Sequence, residues 1–154
     1  MTPDQLSRQL VRETPLLQRN ETVGAAVEKL QASGLPALPV VDENDRLVGI
    51  FGEREFMGAL FPGYFKQLGY AGFVPSTLDD ALEKRSACRV EPVIDHLHSE
   101  HIDVPSDFSD AQLAETFLHH HVLIVPVIAS GKVRGVITRH DFFGRLAERF
   151  LERQ

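Results

Sequence analysis

Between Thr22 and Gly34 the apolar positions Val23, Ala26, Val27 and Leu30 fall at i, i+3, i+4 and i+7, the spacing of one helix face, with Thr22 placed to cap it. Leu113, Ala114, Phe117 and Leu118 repeat that stripe later in the chain, behind Ser109 or Asp110 as the cap. After each stripe the pattern changes. Ala37–Val41 and Leu123–Ile128 are unbroken apolar runs rich in β-branched residues, too short for helices, and they predict buried strands. A polar turn joins each run to a second one, Leu47–Phe51 or Val133–Ile137, so each pair predicts a hairpin. A second amphipathic helix is expected over Glu53–Leu60 and again over Asp141–Leu151, where Phe142, Phe143, Leu146 and Phe150 are expected to share a face. Short strands are expected ahead of each unit, around Leu16–Gln18 and Ile102–Val104.

The two stretches follow one plan. Pro39 matches Pro126, Gly49 matches Gly135, and Glu55 matches Asp141 after one residue is lost in the turn. A β-α-β-β-α unit written twice predicts an α/β (α+β) fold of two pseudo-symmetric units packed through their sheets, whereas a solenoid needs three or more copies. The units span 1–60, with an N-terminal segment, and 93–154. Between them, 61–92 forms a connecting insert. Its Phe61-Pro62-Gly63-Tyr64-Phe65 and Tyr70-Ala71-Gly72-Phe73 set aromatics among Gly and Pro, either padding the core or forming a dimer contact. Ser76 or Thr77 is placed to cap a short helix through Leu78, Leu82 and Arg85.

Composition narrows the function classes. A chain of 154 residues with 43% hydrophobic content can bury one core, or two small ones packed together. Its net charge of −6 argues against a nucleic-acid footprint, which needs a basic face. No apolar run approaches a membrane span and no secretory h-region opens the chain, so neither membrane nor export is expected. Cys88 is the single cysteine, which rules out an intrachain disulfide and fits a reducing cytoplasm. The histidines concentrate in His96-x-His98-x-x-His101 and His119-His120-His121. Consecutive helical residues point about 100° apart, so the triplet cannot face one ion, and no metal site is expected. A pH-sensitive surface is the better reading of so many imidazoles.

With its Pro-Val strands, its hairpins closing on Gly49 and Gly135, and Thr138-x-x-Asp141 leading into the last helix, the chain resembles a tandem CBS-domain pair, the domain named after cystathionine β-synthase. The resemblance covers about 14–60 and 93–150. It implies a regulatory module without catalytic residues or a resident cofactor, binding an adenosyl compound such as AMP, ADP, ATP or S-adenosylmethionine in a cleft between the units. In such a cleft a carboxylate at a helix start can accept from ribose hydroxyls, and a neighbouring hydroxyl and helix N–H groups suit a phosphate. Apolar strand residues hold the base. The resemblance places these parts at Thr138 and Asp141, with Arg139 and His140 between them, and Val122, Leu123, Ile124 and Pro126 around the base. Thr138 and Asp141 equally suit a plain helix cap.

The first copy departs from the pattern and is expected to form a weaker site from Leu35, Ala37, Pro39, Arg54 and Glu55. Gly52 stands where the hydroxyl is expected and Glu55 where the Asp is, and Glu53 adds acidic charge where a polyphosphate would lie. That site is expected to be empty or selective for a less charged ligand. Asp103 stands on the lead strand of the second unit, where the resemblance leads one to expect Thr or Ser. It could hold a ribose or a cationic group, or repel phosphate, which favours adenosine, AMP or S-adenosylmethionine over ATP. Two readings follow: a ligand sensor acting in trans on an effector protein, or a ligand-free structural dimer. The apolar face expected on the last helix of each unit favours a homodimer in either case.

Overall fold

The computed structural model describes residues 3–61, 78–98, 100 and 102–153, so the aromatic stretch after Phe61 and the proposed caps Ser76 and Thr77 lie outside the described residues. A 3-10 helix over Pro3–Leu10 leads into the first unit. That unit is built from β1 (Leu17–Gln18), α1 (Val23–Ser33), β2 (Ala37–Val41), β3 (Leu47–Gly52) and α2 (Glu53–Leu60). After α3 (Leu78–Lys84) and two 3-10 turns, the second unit runs β4 (Val104–Pro105), α4 (Asp110–His119), β5 (Ile124–Ala129), β6 (Lys132–Thr138) and α5 (Arg139–Glu152). The β-α-β-β-α order therefore occurs twice.

The helices start where capping chemistry predicts. Thr22 accepts from the Ala25 amide and Ser109 from the Gln112 amide, each satisfying a donor the helix itself cannot. Gly34 ends α1 at φ 71°, a left-handed turn that glycine enters without strain.

Each sheet has three strands, with the first parallel to the second and the second antiparallel to the third. The registers coincide. Pro39 faces Ile50 as Pro126 faces Val136, and Val40 faces Gly49 as Val127 faces Gly135. Both hairpins also slip register at the same place, between Val40 and Val41 and between Val127 and Ile128. The central strands are buried along β2 and over the first four residues of β5, which is why they read as continuous apolar runs rather than as alternation.

One core gathers Leu17, Leu30, Leu38 and Phe51 of the first unit, and Ile124 and Val136 of the second join it, so the two sheets share a packed face. The other core holds Phe108, Leu113, Val125, Ile137 and Phe142, with Leu10 and Val11 of the N-terminal segment against it. Neighbouring residues on α5 part company here. Phe142 is buried and stacks on Phe117 with ring centroids 5.5 Å apart, while Phe143, Leu146 and Phe150 are exposed. A 100° step between consecutive helical residues prevents Phe142 and Phe143 from sharing the inward face. Leu118, expected on the inner stripe of α4, is exposed as well.

The segments ahead of each unit cross over. Arg12 pairs antiparallel with Val136 of the second unit, through Arg12 N–H to the Val136 carbonyl at 2.8 Å and the reverse bond at 2.9 Å. His98 pairs in the same way with Ile50 of the first unit, donating its N–H to the Ile50 carbonyl at 3.1 Å. Each crossing passes over a glycine. A Cβ on Gly135 would lie 2.5 Å from the Arg12 carbonyl oxygen, and one on Gly49 would lie 3.0 Å from that of His98. At Gly135 the approach leaves no room for a side chain; at Gly49 it is tight, and Leu97 would have to yield as well.

Opposite outcomes are therefore expected from one kind of substitution. Gly135→Ala forces backbone apart and should cost about 1–3 kcal/mol. Gly144→Ala, on α5 with nothing within 4 Å of the added methyl, should stabilise by about 0.5–1 kcal/mol through helix propensity. Urea unfolding of the two variants checks both signs.

Candidate functional site

The start of the last helix in each unit is held by the same backbone bond. Glu53 N–H donates to the Pro36 carbonyl at 3.0 Å, and Arg139 N–H donates to the Leu123 carbonyl at 3.0 Å. Each bond ties the helix start to the residue just before the central strand of its own unit. Glu55 and Asp141 stand at equivalent places in these first turns.

Around Glu55 there is a cleft. It is lined by Ala37, Ile50, Arg54 and Glu55 of the first unit, His98 of the crossing segment, and His121, Val122 and Leu123 of the second unit, and it is narrow and open to solvent. Its lining is evenly divided between apolar residues, suited to the face of a base, and polar ones that can fix a ligand's orientation. Arg54 spans the units, its Nη1 donating to the His121 carbonyl at 2.6 Å. Glu55 Oε1 accepts from the Gly52 N–H at 2.9 Å. His98 Nε2 is buried and has no hydrogen-bond partner among the described residues.

Burial pushes the Glu55 carboxyl above its ordinary value, against the lowering pull of the Gly52 N–H, of its own amide and of the nearby His98 and Arg54. The absent hydroxyl at Gly52 has a steric reason. A side chain there would run into Ala37, its partner across the hairpin, and into the Pro36 carbonyl oxygen 2.5 Å from a Cβ. That crowding belongs to the extended conformation of Gly52; Thr138, at the equivalent place opposite Ile124, differs in backbone conformation and carries its side chain.

The second unit keeps both residues but employs them differently. Thr138 is buried and its Oγ1 accepts from the Asp141 N–H at 3.0 Å, so the helix-cap role is present. The Asp141 carboxylate is gripped at both oxygens by Arg12, with Nε to Oδ2 at 2.6 Å and Nη2 to Oδ1 at 3.0 Å. Arg139 and His140 are exposed beside it on the first turn.

The residues expected to serve two separate sites are thus regrouped. Ala37, Arg54 and Glu55, expected in the weaker site, share a cleft with Val122 and Leu123, expected around the base of the stronger one. Val122 also packs in the second core, and Leu35 in the first. Ile124 belongs to the shared sheet face, while Pro39 and Pro126 are buried within the central strands. Asp103 is exposed and sits just ahead of β4 rather than on it. Ile50 and Arg12 carry no site motif in the sequence, and His121 and His98, which stand in the histidine clusters, are not expected in a ligand site. Arg12 and His98 both lie on the lead segments. A repeat alignment extended into the lead segments would have drawn attention to the last two.

The histidine clusters separate. His96 Nε2 lies 2.7 Å from Glu91 Oε1, His98 enters the cleft, and His101 is outside the described residues. His119 approaches Glu115 at 3.8 Å, and His120 ends α4, its N–H donating to the Thr116 carbonyl. Cys88 is buried in a 3-10 turn.

Glu55 carries a pH dependence with a definite sign. Its folded-state value lies above the ordinary 4.5, so the folded protein holds this proton more tightly than the unfolded chain. Its contribution is fully present below 4.5 and is lost as pH rises through the higher folded value. Glu55→Gln keeps an oxygen for the Gly52 N–H and removes the buried charge. Its stability relative to the native sequence should therefore rise between pH 4 and pH 8 in urea titrations; a constant difference would contradict the assignment.

The comparisons place this geometry among known proteins. Solved structures with the same fold include a CBS domain-containing protein of unknown function from Kribbella flavida, at TM-score 0.66 and 22% identity, covering 92% of this chain and 97% of that one. The CBS domain of a CBS domain containing membrane protein from Sphaerobacter thermophilus matches at TM-score 0.68 and 20% identity, over 89% and 85% of the two chains. CBSX2, solved in complex with AMP, matches at TM-score 0.66 and 19% identity, over 95% and 97%. The family model for the CBS domain matches twice, at residues 8–62 and 97–148, and the chain belongs to the CBS domain family as a tandem pair.

Proposed function

We propose that this chain is a regulatory, non-catalytic module that binds an adenosyl compound in the cleft around Glu55 and signals to an effector protein in trans. The observation that carries the reading is a cleft that brings the Glu55 carboxyl together with Ala37 and Ile50 of one unit and Val122 and Leu123 of the other, with His98 beside it, its Nε2 without a partner among the described residues. The Glu55 carboxyl suits ribose hydroxyls, and Ala37, Ile50, Val122 and Leu123 suit the faces of a base. A buried polar atom without a partner costs free energy that a ligand hydrogen bond would recover. AMP in the CBSX2 structure supports the ligand class. The neighbouring acidic Glu53 and Glu55, and the missing hydroxyl at position 52, favour AMP or S-adenosylmethionine over ADP or ATP. No helix among the described residues is long and apolar enough to cross a membrane.

Because the cleft draws on both units, a ligand there bears on how they pack. A change in that packing reaches α5, whose exposed Phe143, Leu146, Phe150 and Leu151 favour a second reading in which the module works through a homodimer or protein contact without any ligand. The two readings are separable.

In a thermal-shift series with AMP, ADP, ATP and S-adenosylmethionine, a compound at 100 times its Kd should stabilise the protein by about 2.7 kcal/mol. Glu55→Ala should abolish the shift. No shift from any of the four, or a shift that survives Glu55→Ala, contradicts ligand binding in this cleft. Sedimentation at micromolar protein should show a dimer that Phe143→Ser with Phe150→Ser weakens, and a monomer in the native sequence would contradict the contact.

A further inference from the structure

The carboxylate equivalent to Glu55 in the second unit already has an occupant. Arg12 presents its guanidinium edge-on to Asp141, with one bond to each oxygen, at 2.6 and 3.0 Å. These are the same two acceptor positions that a vicinal diol would need. The arrangement is held from the backbone as well as from the side chain. Two hydrogen bonds fix Arg12 to Val136, and Gly135 leaves no room for any residue with a side chain beneath it. The first unit has His98 in the corresponding place, bridged to Ile50, and there the imidazole Nε2 takes no partner among the described residues.

We infer that the N-terminal segment is a built-in mask on the second unit's carboxylate, with Arg12 held on Asp141, so that the pair binds one adenosyl ligand per chain rather than two. The masking of Asp141 rests on the ligand class proposed above, and the count of one ligand per chain rests also on the Glu55 cleft. Arg12 acts here as a specificity-determining residue, since its side chain takes the acceptor that would otherwise select a ribose. A flexible polar side chain on a mobile strand would release easily, but a bidentate pair anchored by its own backbone competes with a ligand throughout the bound state.

Isothermal titration with AMP tests this on the full chain. The native protein should bind one AMP per chain, Arg12→Gln should bind two, and Arg12→Gln with Asp141→Asn should return to one. The unmasked site should be tighter than any residual second-site binding in the native protein by about tenfold or more. Should Arg12→Gln fail to fold by circular dichroism, Arg12→Met keeps the aliphatic stem and should give the same second site. Two equal sites in the native protein, or no gain in a folded Arg12 variant, would overturn the inference. A loss of binding in that variant overturns it too, because Arg12 would then belong to the ligand contact. If the native protein binds nothing and Arg12→Gln gains an Asp141-dependent site, the masking stands and the Glu55 cleft is the reading that fails.

Discussion

Because Gly49 and Gly135 carry no side chain, the backbone of the opposite lead segment can lie directly on each hairpin, and this close approach joins the halves of the protein. Arg12 on Val136 and His98 on Ile50 are each other's counterparts: the same position in each hairpin, reached by the segment that precedes the other unit. The crossing carries Leu10 and Val11 into the second core and Leu97 into the first, while Ile124 and Val136 reach across to the first core from the sheet face. A three-stranded sheet with two short helices buries little on its own. Exchange of segments lets each unit finish its core with residues from outside its own run of sequence.

The same crossing sets the chemistry at the two carboxyl groups. Each lead segment delivers one basic side chain toward the carboxyl group that opens the last helix of the opposite unit. In the second unit that group is an arginine, permanently charged and forked, and it closes on Asp141. In the first it is a histidine, shorter and able to be neutral, and Glu55 beside it is buried enough for its proton to be held more tightly. An ion pair and a cleft lined by a raised carboxyl are two outcomes of one geometry. What differs is the side chain at one position and the methylene that separates Glu from Asp.

Much of the fold was legible because both periodicities are strong. The stripe from Val23 to Leu30 and the run from Ala37 to Val41 match their elements to the residue or nearly so, and the repeat makes each unit a check on the other. The site was less legible. Repeat logic assigned Val122 and Leu123 to the carboxylate of their own copy, whereas the cleft sets them beside Glu55 of the other, a pairing that only the docking of the sheets decides. Arg12 and His98 were hidden for a related reason. They stand outside the apolar pattern, and His98 lies one residue further ahead of β4 than Arg12 lies ahead of β1. Gly52 looked like a lost function when read alone; the structure shows it in an extended conformation that crowds out a Cβ, whereas Thr138 at the equivalent position opposite Ile124 takes another conformation and keeps its side chain.

Native-state hydrogen exchange followed by NMR tests the joining of the halves most directly. If the crossed segments and the shared sheet face bind the units into one cooperative structure, the buried amides of β2 and β5 should exchange through a common global opening, with equal free energies and equal denaturant dependence. A set of β5 amides that opens at distinctly lower free energy, while β2 stays protected, would contradict that account and make the two units separate folding bodies.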